Sequence, residues 1–137
     1  MGSEQFGAAT TVGVRVPAEY RQLTMLRALT ETVLMLAEFA LDEVTDIQVA
    51  IDEIATDLIG AAIVGSALDC ELTVDRGRIA VCLSTISVKR EVIDEEGFGW
   101  HVIRTVTETL RTDIGSYDRI WGGFPITVEF GCGPGGQ

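Results

Sequence analysis

Two strand-like runs, Cys70–Val74 (CELTV) and Arg78–Ser84 (RIAVCLS), flank the tripeptide Asp75-Arg76-Gly77. Apolar and β-branched residues on either side of a short glycine-bearing turn predict a β-hairpin, with Gly77 supplying a positive φ. The residues before it have a helical period instead. Asp42 reads as the N-cap of a helix running to about Ile63, with Ile47, Ile51, Ile54, Leu58 and Ala62 as its core stripe. Gly65 and Ser66 stop it. Upstream, Thr11–Val16 alternates as a strand that Pro17 closes. Glu19 to Ala40 then reads as a helix with Leu23, Leu26, Val33, Leu36 and Ala40 apolar. Met25, Leu29 and Leu34 widen that arc and leave one apolar flank for solvent or a partner.

Downstream of the hairpin, Thr85 to Glu96 is a polar connection without strong periodicity. Gly99 to Arg111 reads as a third helix with Val102, Ile103, Val106 and Leu110 inward. Thr112–Tyr117 reads as a strand, Asp118–Pro125 as a loop and Ile126–Phe130 as a last strand. The order β-α-α-β-β-α-β-β predicts an α+β fold: a two-layer α/β sandwich, with helices on one face of a mixed, mostly antiparallel sheet. One domain is expected over residues 11–130, between a disordered N-terminal tail (1–10) and a flexible Gly-rich tail (131–137). With 47% hydrophobic residues the composition is that of a globular chain. The longest apolar stretches fall far short of the roughly 20 residues of a membrane span. The opening MGSEQFGAATT has no basic or apolar region of a secretory signal, so a cytoplasmic location is expected.

Charge is unevenly placed. From Ala28 to Asp75 there is no lysine or arginine, but eleven of the 21 acids; the other ten acids match the ten bases. One segment therefore carries the whole net charge of −11. Such a surface repels nucleic acid and suits a basic protein partner. Cys70, Cys82 and Cys132 form no metal-ligand or redox spacing. Cys70 and Cys82 read as small apolar strand residues, and Cys132 as part of the Gly-rich tail. With a single histidine, His101, a zinc site is not expected.

Two places could hold chemistry. Glu53 and Asp57 are one helical turn apart and project from one face. They read either as a proton acceptor and a ligand for a divalent cation, or as an exposed acidic face. Gly97-Phe98-Gly99 opens a helix whose free N–H groups favour anions, or simply makes a tight turn. No third glycine completes a dinucleotide fingerprint.

The succession of an E-x-x-x-D helix, a hairpin, a polar connection and a G-x-G helix start resembles the GHKL (Bergerat) ATPase superfamily. Within it the chain resembles the RsbW-type anti-sigma factor serine kinases, from about Val12 to Phe130. The segment FGWHVIRTVTETLRTD carries much of the likeness. The resemblance implies an ATP site between the second and third helices. It also implies sequestration of an alternative sigma factor in a stress-response circuit of transcription regulation. A homodimer and phosphorylation of a serine on an antagonist (anti-anti-sigma) protein are implied as well. Matched by position, Glu53 would be the catalytic base of that serine/threonine kinase. Asp57 stands where the family has an Mg²⁺-coordinating asparagine, and Gly97 and Gly99 match the second glycine motif beside the phosphates of Mg-ATP. The first glycine motif, D-x-G-x-G, is replaced by Ser84-Thr85-Ile86-Ser87-Val88. Losing its charge-assisted contact to adenine costs about 1.5–3 kcal/mol, which opposes ATP binding and kinase activity. The main expectation is thus an anti-sigma factor, and the alternative an active ATP-dependent serine kinase. Trp100 reads as a core residue and His101 as a surface one.

Overall fold

A computed structural model describes residues 9–133. β1 (Thr10–Pro17) leads through a short 3₁₀ turn (Tyr20–Gln22) into α1 (Leu23–Leu36) and α2 (Leu41–Ala61). β2 (Ala67–Asp75) and β3 (Arg78–Ser87) follow, then α3 (Phe98–Val106), β4 (Thr109–Ile114) and β5 (Phe124–Cys132). The strands form one sheet in the order β1-β2-β3-β5-β4. The sheet is antiparallel as mainly expected, and every pairing among these strands is so, with none of the parallel pairs that a mixed, mostly antiparallel sheet would carry. β5 inserts between β3 and β4, so those two run parallel and are joined by a crossover through α3.

The hairpin forms as read. Asp75 pairs with Arg78, leaving a two-residue loop in which Arg76 and Gly77 both have positive φ (56° and 81°). This is the type I′ geometry that matches the right-handed twist of the strands. Alternation then sorts the sheet into two faces. Leu68, Cys70, Leu72, Val81, Leu83, Val128 and Phe130 are buried with the helices. The other face carries Arg15 paired with Asp69, and Arg111 bonded to Glu129. An antiparallel sheet with one wet face needs nothing to cover it.

α2 is the central helix, packing on α1, α3, β2, β3 and β5. Ile47, Ile51, Ile54 and Leu58 are buried as predicted, joined by Val44, Ala50, Ala55 and Ile59, while Ala62 lies beyond the helix end. Its N-cap is Ala40 rather than Asp42. Glu43 accepts the Ala40 N–H (2.9 Å), and Asp42 sits in the first turn, where its charge suits the helix dipole.

α1 is shorter than predicted and rotated from its expected stripe. Leu26, Thr30 and Leu34 are buried, with Thr30 Oγ1 bonded back to the Leu26 carbonyl, whereas Leu36 is 80% exposed. Met25, Met35, Leu36 and Leu41 are exposed; of the residues expected to widen the apolar arc only Met25 is among them, since Leu29 is half-buried and Leu34 fully buried. The helix stops because Glu38 adopts φ 66°, with Glu38 N–H on the Met35 carbonyl and Phe39 N–H on the Leu34 carbonyl, each 3.0 Å. This is a Schellman ending without its usual glycine. A side chain in that conformation costs about 1 kcal/mol. Glu38→Gly is therefore expected to stabilise the fold by roughly 0.5–1 kcal/mol, read as a raised urea midpoint at unchanged slope.

α3 ends at Val106 rather than Arg111, and Thr109–Arg111 belong to β4. Trp100 and Ile103 are its buried residues, Val102 and Val106 are half-buried, and His101 is exposed as read. Cys132 closes β5, buried, instead of lying in a tail, and Thr10 already belongs to β1. The remainder of the two expected tails, 1–8 and 134–137, lies outside the described residues. No helix among the described residues is long and apolar enough to cross a membrane.

Candidate functional site

Core packing of α2 turns its opposite side outward. Asp42, Asp46, Val49, Glu53 and Asp57, spaced four, three, four and four apart, are all exposed and form one stripe along the helix. α3 begins beside the Glu53–Asp57 end of it. Gly97 is the N-cap of α3, and His101 N–H makes the first helical bond to its carbonyl (3.1 Å). The N–H groups of the first turn thus have no helical acceptor. Glycine at 99 permits the approach, since a β-carbon there would overlap the Glu53 carboxylate. Asp94 makes the turn before the helix: Gly97 N–H donates to its carbonyl (3.0 Å) and Glu96 N–H to its Oδ1 (3.2 Å).

The structure therefore brings Glu53, Asp57, Gly97 and Gly99 together and adds Asp94, which sequence reasoning overlooked. The signal was present: an aspartate three residues ahead of a glycine N-cap suits a side-chain-closed turn. Desolvation pushes the Asp57 carboxyl up from its ordinary value, and the negative charges of Glu53 and Asp94 push it further. The folded chain then holds that proton more tightly than the unfolded chain. Asp57 accordingly costs stability as pH rises through the carboxylate range, and the cost persists at neutral pH. Asp57→Asn is expected to raise stability at neutral pH by at most about 1 kcal/mol, because exposed charges are screened. That gain should vanish at a pH below the ordinary aspartate range, which paired urea melts would check.

Three carboxylates at a helix start offer hard oxygens to a divalent cation. Among the described residues, however, no three His, Cys, Asp or Glu side chains come close enough to hold a metal ion. The wall that the resemblance would assign to adenine departs further from expectation. Ser84 was expected to face the site, but it lies within β3, whereas Val88 follows the end of that strand. β3 continues to Ser87, and its alternation turns Thr85 and Ser87 to the helices and Ser84 to the outer face. There Ser84 lines a shallow depression with Arg15, Asp69 and Glu71. A shift of one residue along a strand exchanges its faces, and the sequence reading had ended the strand too early. The hydroxyls that do face inward are engaged. Thr85 Oγ1 donates to the Ala67 carbonyl (2.8 Å), while Ser87 Oγ donates to the Lys89 carbonyl (2.6 Å) and accepts its N–H (3.0 Å).

Three helices packed on one face of a five-stranded antiparallel sheet, with an acidic helix face meeting a glycine-opened helix start, define a two-layer α/β sandwich, consistent with a GHKL-like one. No family model matches the chain. Among curated proteins it is similar to anti-sigma-F factor RsbW from two strains of Mycobacterium tuberculosis, each 26% identical over 101 residues. The match covers 74% of this chain and 60% of each relative, so the chain spans about three fifths of the length of the curated relatives it matches. The resemblance to RsbW-type anti-sigma factors read from the sequence therefore stands.

Proposed function

We propose that this chain is an anti-sigma factor that sequesters an alternative sigma factor and is countered by an antagonist protein, regulating transcription in a stress-type response. Likeness to proteins named anti-sigma-F factor carries the reading. The exposed α2 stripe supplies a binding surface: four carboxylates around Val49, with no base between Ala28 and Asp75 to neutralise them. A basic partner would gain both attraction and register from such a face. We further propose that capture proceeds as a homodimer in the cytoplasm and without nucleotide. Engagement of the Thr85 and Ser87 hydroxyls by the backbone supports the last point, as does the placement of Glu53 against Gly99, where phosphate would approach. Serine kinase activity with Glu53 as base and Mg²⁺ on Asp57 is the weaker reading.

Titration of labelled chain against purified alternative sigma factors, at low and raised salt and with or without Mg-ATP, tests this. One sigma factor is expected to bind at low salt, more weakly as salt rises, and equally with or without Mg-ATP. Failure to bind any of them at low salt would overturn the proposal.

A further inference from the structure

Four of the ten bases, Lys89, Arg90, Arg104 and Arg119, make no ion pair among the described residues, although acids outnumber bases two to one. Three of these four sit at one end of the sheet. The register pairs Ser87 with Phe124, which sets Lys89 and Arg90 beside the turn carrying Arg119. Arg90 lies over the Phe124 ring at 5.5 Å, and Tyr117 packs edge-on against the same ring at 5.3 Å. The residues after α2 close the cluster, with Ala62 bridging to Ser87 and Ile63 N–H on the Ile86 carbonyl (2.8 Å).

The same three segments expose apolar side chains. Val64 is 98% exposed, Ile120 93%, Val88 58% and Trp121 51%. They are not on slack loops. Asp118 Oδ1 accepts the N–H groups of Ile120 (2.8 Å) and Trp121 (3.2 Å), and the Ser87 hydroxyl clasps the backbone of Lys89. Apolar anchors on an ordered turn, ringed by unpaired bases, have the composition of a binding hot spot. Across residues 62–66, 87–90 and 117–124 three bases stand with one acid, Asp118, whose carboxylate is held by its own turn; Glu91, Asp94, Glu95 and Glu96 follow Arg90 and line a depression together with Lys89 and Arg90.

We propose that this end of the sheet docks an acidic protein segment carrying an aromatic or aliphatic anchor, which packs on Trp121 and Ile120 while its carboxylates meet Lys89, Arg90 and Arg119. An extended polyanion fits poorly, because the chain's net charge of −11 repels it beyond the patch. A segment with its acids confined to a few positions does not meet that repulsion. This surface has the opposite sign to the α2 stripe, so it selects a different partner from the one that stripe would hold.

A short fluorescent peptide in which glutamates alternate with leucine and phenylalanine, titrated against the full chain by anisotropy, tests the proposal. Saturable binding is expected. It should weaken about tenfold in Trp121→Ala and about tenfold in the Lys89→Glu, Arg119→Glu pair. Arg104→Glu, which reverses the unpaired base on α3, should leave it unchanged, and the same peptide with lysines for glutamates should not bind. Circular dichroism melts establish that each variant folds. Absence of saturable binding, or binding indifferent to the Trp121 and Lys89/Arg119 variants, overturns the proposal. Capture by phosphatidylserine vesicles but not by the peptide, lost in the same variants, also overturns it and assigns the patch to a membrane surface.

Discussion

Gly123→Ala is expected to destabilise the fold by about 2–3 kcal/mol, the upper range for forcing extra volume into a filled site. A β-carbon at this buried position would lie 2.5 Å from the Ser87 carbonyl oxygen, 2.9 Å from Ile86 Cγ2 and 3.0 Å from Ile63 Cδ1. The first of these belongs to the backbone of the central strand and cannot swing away. The other two belong to residues tied together by the Ile63 N–H to Ile86 carbonyl bond. Relief would require β5 to lift from β3 at its start, weakening the Ser87–Phe124 pairing. Gly99→Ala provides the contrast, because its β-carbon meets the tip of the flexible Glu53 side chain. That variant should change stability little while displacing the carboxylate from the start of α3. Urea melts of the two proteins should separate them clearly, and equal midpoints would mean that the β3–β5 junction yields more easily than its contacts imply.

The fold was legible wherever local pattern and long-range packing agreed. The hairpin depends on two loop residues and a run of alternation, and it forms in the register the sequence indicates. α2 declares itself through Ile47, Ile51, Ile54 and Leu58 because one helix crossing the middle of a sheet has a single inward face. α1 was harder to read. Leu36 and Met35 look as apolar as Leu26 and Leu34, and only the packing partner decides which row turns inward. Its end at Glu38 carries no glycine to announce it. α3 was overextended for a related reason: Thr109–Arg111 continue an acceptable helical pattern until pairing with β5 claims them.

The candidate site was legible as an association of parts, but its far wall was not. Glu53, Asp57, Gly97 and Gly99 could be named because helical spacing and a G-x-G turn are local features, and the fold brings them together. Ser84 was misplaced because the length of β3 depends on its pairing with β5, through Ser87 with Phe124, which no local signal near Ser84 records. Asp94 was missed because its part is to shape a turn, through one side-chain oxygen and one carbonyl.

Reversing the acidic stripe with Asp46→Lys, Glu53→Lys and Asp57→Lys together is expected to weaken the proposed sigma-factor binding about a hundredfold at low salt. That corresponds to roughly 3 kcal/mol shared among three exposed charge pairs. The fold should tolerate the change. All three residues are exposed, although the Glu53 carboxylate lies against the start of α3 and Asp57 is partly desolvated, and Glu53 and Asp57 are like charges one turn apart whose mutual repulsion the reversal does not increase. Part of the loss should appear in the association rate, since a screened surface field acts mainly on encounter. The difference between wild type and variant should therefore shrink as salt is raised. Glu53→Gln alone separates binding from catalysis: it removes the proposed base but only one charge of the stripe. Affinity near wild type in Glu53→Gln, with large loss in the triple variant, fits a partner held by the face of α2. Undiminished binding in the triple variant would move the sigma-factor contact elsewhere, with the exposed Met25–Leu36 flank of α1 as the next surface to alter.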